Sequence, residues 1–188
     1  YEPEQLARLL EAGINVYTGL GAQYLAGLLA HADGMAALAT PTLNGFERFR
    51  PNALAPQAKV WGHDNRGAML RVVGAAGDAA THLENRLGEP AANPYLYIAS
   101  QIHAGLDGMA RQLAPPPACT APYSDALPKL PSSLSEALAA LGNDAAFQTG
   151  FGSDFLRYYQ RVKASEISRH ALADDKAEWQ RREYFSRL

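Results

Sequence analysis

The sequence predicts an α+β fold, a short antiparallel sheet segment flanked by helices, on three observations. Apolar residues recur at three- and four-residue spacing ahead of Pro41. Three short segments between residues 58 and 87 are separated by glycine-rich turns. Helical spacing then returns at Asn93 and holds for the rest of the chain.

In chain order, Leu25, Leu28, Leu29, Ala32, Met35 and Ala36 make one apolar stripe running to Leu38, and Pro41 stops that helix. Residues 44–57 mix Arg48, Arg50, Pro51, Asn52 and Pro56, which reads as an irregular loop. Strands are expected at Ala58–Trp61, Ala68–Val73 and Thr81–Leu87. Gly62, Asp64, Asn65 and Gly67, then Gly74, Gly77 and Asp78, mark the turns between them. Asn93 before Pro94 opens a helix, because the amide can cap and proline occupies a position that needs no donor. Leu96, Ala99, Ile102, Leu106, Met109 and Leu113 continue it until Pro115, Pro116 and Pro117 begin an extended loop. Ser133 and Glu136 have capping-box spacing ahead of Leu138 and Leu141. A final long helix carries Phe155, Tyr158, Tyr159, Val162, Ile167, Trp179 and Tyr184, with a break near 171–174.

Composition excludes several functions. At 188 residues, with 47% hydrophobic and 19% charged residues, the chain has enough apolar material for one packed domain. A formal net charge of −2 leaves no basic face for a nucleic-acid backbone. No apolar run approaches membrane-spanning length, and residues 1–4 (Tyr-Glu-Pro-Glu) lack the form of a signal peptide. The lone Cys119 cannot form an internal disulfide, so a reducing cytoplasm is the expected compartment.

The chemistry concentrates between residues 48 and 86. On a strand, His82, Glu84 and Arg86 share one face while Leu83 and Leu87 take the other. Glu84 beside Arg86 suits a divalent metal next to an anionic substrate, because a hard cation takes oxygen ligands and a guanidinium matches a carboxylate or phosphate. The same pattern also describes a solvated strand face carrying a weak ion pair. Arg48, Arg50, Arg66 and Arg71 lie among glycines and prolines with few acids nearby, a supply of cations fitted to phosphoryl transfer. Surface arginines serving solubility are the alternative. The i, i+2 spacing predicts Glu84 and Arg86 pointing into one cavity, with Arg66 and Arg48 converging on it. His31 reads as a satisfied core or interface histidine. His63, His103 and His170 have no partner at metal-binding spacing, Cys119 has no base beside it, and Gly74 and Gly77 make no dinucleotide fingerprint.

Several segments in order resemble the glutamine synthetases. His31-Ala32, Ala37-Leu38, Pro41-Thr42 and Asn44, closed by Arg48, are similar to that family's helix and "PTxNSYKR" turn. Asn65-Arg66-Gly67-Ala68 through Arg71 resembles "NRxxxxR", and residues 82–86 resemble "RxExR". Residues 90–96 repeat "PAANPYL" outright. Residues 104–108 (Ala-Gly-Leu-Asp-Gly) and the "LPxSLxEAL" run at 130–138 complete the series.

The resemblance implies an ATP- and Mg²⁺- or Mn²⁺-dependent ligase that phosphorylates the glutamate γ-carboxylate and then passes the acyl group to ammonia or an organic amine. It implies that Arg48 and Arg86 bind glutamate, that Arg66 contacts both glutamate and the ATP phosphates and acts in catalysis, and that Arg71 binds the phosphates. Glu84 would be a metal ligand, and the full-length protein a ring-like homo-oligomer. Two residues depart from the pattern. Leu54 stands where ammonia-using members carry a flap glutamate, which favours an amine with an apolar body, and His82 replaces a usual arginine. Residues 1–188 are expected to be part of the catalytic domain, lacking the N-terminal domain and upstream metal-binding strands and inactive alone. A non-catalytic binding or regulatory member of the fold is the alternative; an unrelated helical interaction module is a third.

Overall fold

The computed structural model describes residues 19–50, 53 and 55–185. Leu54, the residue expected to bear on the choice of acceptor, lies outside the described residues.

The first apolar stripe forms two helices, α1 (Gly19–Ala30) and α2 (Ala32–Ala39), separated by His31 alone. The hydrogen-bond ladder runs almost undisturbed across the junction, from His31 N–H to Gly27 and from Met35 N–H to His31. This explains why the sequence reads as one helix. Pro41 ends α2 as expected, and the Thr40 hydroxyl then donates to the Leu87 carbonyl at 2.9 Å, tying the helix end to the sheet.

The α+β class holds, and the sheet is mixed rather than wholly antiparallel. Strands β1 (Trp61–His63), β2 (Leu70–Val73) and β3 (His82–Asn85) lie in that order, with β1 parallel to β2 and β2 antiparallel to β3. A parallel pair normally needs a long crossover. Here β1 has three residues, so the chain between His63 and Leu70 has only about 10 Å to retrace, which a loop can do. Asp64 opens that return at φ 46, a left-handed conformation aspartate tolerates. The first expected strand, 58–61, is displaced: β1 shares only Trp61 with it, and Gly62, expected in the following turn, lies within the strand. Ala58 pairs instead with Lys129 of the proline-rich loop.

The rest is helical. In α3 (Pro94–Ala110) the Asn93 side chain accepts from the amides of Tyr95 and Leu96. In α4 (Leu134–Asn143) Ser133 accepts from the Glu136 amide, but the Glu136 carboxylate reaches back to Ser132 rather than to Ser133. Two further helices, α5 (Ala145–Phe151) and α6 (Ser153–Ala171), are separated by Gly152 at φ 84. The sequence does not announce α5, because Phe147, Phe151, Phe155 and Tyr159 continue at four-residue spacing and their rings stack across the break. The break expected near 171–174 falls between α6 and α7 (Lys176–Gln180), which runs into a wider turn at Arg181–Phe185.

One core joins these layers. Leu25, Leu28, Met35, Leu38, Met69, Leu70, Leu87, Leu134, Leu141 and Phe147 are fully buried in it. Helix α1 crosses α3 through glycines: a Cβ on Gly27 would lie 2.1 Å from the Ala104 carbonyl oxygen, and one on Gly108 2.3 Å from that of Gln23. Helix α2 packs on α4. Among the described residues no helix is long and apolar enough to cross a membrane.

Candidate active site

The turn after α2 and the end of β3 face each other across an open cleft of about 920 Å³, lined by Arg48, Arg50, Glu84 and Arg86 among others. Arg48 ends a short 3-10 turn, Asn44–Arg48. That turn is held from below by Thr42, whose hydroxyl accepts from the Gly45 amide and donates to Glu89. The Arg48 guanidinium donates to the carbonyls of Leu87 at 3.0 Å and Gly45 at 3.3 Å and lies over the Phe49 ring. Burial pulls its pKa below the ordinary value, against the opposing pull of Glu89 and Tyr97. Two backbone carbonyls therefore orient a half-buried cation at the cleft wall without neutralising it.

Strand alternation acts as expected on β3. Leu83 packs on the core and Leu87 is fully buried, while Glu84 and Arg86 take the opposite face with Arg86 Nη1 3.6 Å from Glu84 Oε2. His82, further up that face, has Nε2 4.0 Å from Glu84 Oε1. Cross-strand pairing sets Arg71 of β2 directly beside Glu84, and Arg71 Nη1 donates to both Glu84 oxygens at 3.1 Å.

The structure brings Arg48, Glu84 and Arg86 together in this cleft, but not Arg66. Arg66 lines a neighbouring opening of about 600 Å³ with Asp64, Arg71 and Cys119. The convergence expected of Arg66 fails for a local reason. Asn65 folds the chain into a tight turn, its Oδ1 accepting from the Gly67 amide and its Nδ2 donating to the Cys119 carbonyl. Arg66 sits at the exposed tip of that turn, on the side of the proline-rich loop. Arg71 links the two openings. Its Nη1 meets Glu84, while Nε donates to Asp64 at 3.0 Å and Nη2 also contacts Asp64. Hydrogen bonding from Arg71 holds the Asp64 carboxyl below its usual range.

Some lining residues carried no sequence signal. Gln180 and Phe185 reach the first cleft from the far end of the chain. Gln180 Nε2 donates to Glu47 at 3.1 Å, a contact no local pattern encodes. Asp64 reads from the sequence only as a turn residue, with no sign of its pairing with Arg71. His31 is satisfied as expected, with Nδ1 2.7 Å from Asp144 and Nε2 2.8 Å from Asp107.

Glu84 fits a divalent cation as one hard oxygen ligand: its side chain is part-exposed to the cleft, and its two oxygens share hydrogen bonds from one nitrogen, Arg71 Nη1, with Arg86 Nη1 at the longer distance of 3.6 Å. It does not make a site alone. Among the described residues no three His, Cys, Asp or Glu side chains gather as a metal set, so further ligands would come from outside them.

Residues 11–184 match the family described as glutamine synthetase, catalytic domain. A gamma-glutamylanilide synthase from Acinetobacter sp is 42% identical over 183 residues, covering 92% of this chain and 37% of that protein. A gamma-glutamylethanolamide synthetase, GlnA4 of Streptomyces coelicolor, is 33% identical, covering 88% of this chain and 35% of the relative. The solved structure of a GmaS/ADP complex superposes with a TM-score of 0.74 at 29% identity, over 90% of this chain and 40% of that one. The chain thus spans well under half the length of these relatives. The match across nearly all of its residues makes it a member of the glutamine synthetase family, within the catalytic domain.

Proposed function

We propose that this chain is part of an ATP-dependent ligase that joins the glutamate γ-carboxylate to an organic amine through γ-glutamyl phosphate. The observation that carries the reading is the pair of adjacent arginine-lined clefts bridged by Arg71, with Glu84 at the bridge. Arg48 and Arg86 suit the carboxylates of glutamate in the first cleft, where Arg48 is already oriented by backbone carbonyls. Arg66 and Arg71 suit the phosphates of ATP in the second. The γ-carboxylate then attacks the terminal phosphorus and ADP leaves; the amine nitrogen next attacks the acyl carbon, phosphate departs, and the nitrogen gives up a proton to the departing phosphate or to water. Arg71 is placed to counter charge on the phosphoryl oxygens, and Glu84 to hold a divalent cation. When bound, that cation supplies further neutralisation of the transferring group.

Two features support an organic amine over ammonia. Ala53 and Ala55, which flank Leu54, line the first cleft together with Phe185, so its wall carries apolar surface among the charges. The gamma-glutamylanilide synthase from Acinetobacter sp is 42% identical. The test is to supply the full-length protein with ATP, Mg²⁺ and glutamate, and to measure phosphate release with aniline, ethanolamine or ammonia as acceptor. Release stimulated by an organic amine above ammonia is expected. No amine-dependent release would overturn the ligase reading, and preference for ammonia would overturn the acceptor assignment.

A further inference from the structure

Arg71 divides its guanidinium between two carboxylates. Its Nε and Nη2 face Asp64, and only Nη1 is left to straddle the two oxygens of Glu84, 3.1 Å from each. An arginine grips a carboxylate hardest when two nitrogens of one edge meet two oxygens in parallel. With Asp64 holding the Nε–Nη2 edge, the guanidinium is oriented so that Glu84 meets Nη1 alone rather than the Nη1–Nη2 edge. The placement of Asp64 is built into the backbone. Its amide donates to the Val72 carbonyl at 2.9 Å as β1 ends, and its φ of 46 turns the residue beside Arg71.

We propose that Asp64 is a positioning residue for the metal ligand: by occupying the Nε–Nη2 edge of Arg71, it restricts Arg71 to a single-nitrogen contact with Glu84 and keeps Glu84 open to a divalent cation. The inference rests on the reading of Glu84 as that cation's ligand. Without Asp64, Arg71 can turn its Nη1–Nη2 edge onto Glu84, and a cation must then displace a two-nitrogen pair. Asp64 acts through Arg71 rather than by its own field, because its side chain is 75% exposed and that field is screened by solvent.

The experiment titrates Mn²⁺ into the full-length protein without nucleotide, following the loss of the free-ion EPR signal. The variants are Asp64→Gly, Arg71→Gln, both together, and Glu84→Gln. Glycine adopts a left-handed backbone freely, so Asp64→Gly removes the acceptor of both Arg71 bonds without straining the turn. It is expected to weaken Mn²⁺ binding by about 10-fold, the scale of outer-shell losses at metal sites. In the Arg71→Gln background the same change should have no effect, since no guanidinium remains to turn. Unchanged binding in Asp64→Gly overturns the proposal. So does equal weakening in both backgrounds, which would mark a simple loss of negative charge. Unchanged binding in Glu84→Gln instead overturns the metal-ligand reading beneath it.

Discussion

The Tyr184 hydroxyl accepts a hydrogen bond from the Leu43 amide at 3.1 Å and donates to buried Glu166 at 3.3 Å, so the end of the chain is pinned to the turn that presents Arg48. Tyr184→Phe removes the acceptor for one group and the donor for the other. Stability should fall by about 1 kcal/mol, the usual net value of a hydrogen bond, measured by urea denaturation. In the full-length enzyme the KM for glutamate should rise more than the KM for ATP, because the Arg48 turn loosens while Arg66 and Arg71 lie elsewhere.

Glu84→Gln keeps the shape of the side chain and removes its charge. In the full-length protein, turnover should fall by about 10²–10³, the scale of losing one preorganised electrostatic contact, with a raised Mg²⁺ requirement. Full activity at limiting Mg²⁺ would reduce Glu84 to a partner for Arg71.

His31 predicts a pH dependence. Burial pulls its pKa down, but hydrogen bonds to Asp144 and Asp107 outweigh burial, and the net shift is upward. A histidine raised in the folded state stabilises fully below its unfolded value, near 6.5, and loses that contribution as pH rises through the folded value. Asp107, also paired with Arg111, runs the other way. Its carboxyl is held below the usual range despite burial, so its contribution is lost only in acid. Thermal unfolding should therefore show the chain more stable at pH 6 than at pH 9, and His31→Asn should flatten that difference. An equal slope in both proteins would locate the dependence elsewhere.

Leu54→Glu tests acceptor choice. A carboxylate can replace water around an ammonium ion and accept its proton, which an isobutyl group cannot do. An amine with an apolar body instead gains about 25 cal/mol for each Å² buried against leucine. The ratio of kcat/KM for ammonia to that for aniline should rise in the variant. A ratio that does not move would separate Leu54 from the acceptor.

Signals that act within a few residues were legible. Asn93-Pro94 capped a helix, Pro41 stopped one, and period-two alternation put Leu83 and Glu84 on opposite faces of β3. The motif order from His31 to Leu138 carried the family, which the match over residues 11–184 shows. Contacts set by the path of the chain were not legible. The parallel β1–β2 pairing depends on how a loop returns, the exposed place of Arg66 on a turn tied to Cys119, and the arrival of Gln180 and Phe185 on the packing of the last helices. The α5–α6 break was hidden by an aromatic repeat that is continuous in sequence although the helix is not.

The glycine crossing of α1 and α3 sets a dimension that reaches the cleft. Because backbone meets backbone at Gly27 and Gly108, the distance between the helices is fixed by peptide groups, with no side chain to compress. Helix α3 carries Tyr97, whose hydroxyl donates to the Asn85 carbonyl at 3.0 Å and whose ring lies where a Cβ on Gly88 would be. Those contacts bracket Arg86. A single methyl group added at Gly27 would act as a shim: with backbone in its way it is expected to push α3 outward, toward the segment that carries Arg86. The gauge of the candidate cleft is thus set in part at a helix crossing remote from its lining residues.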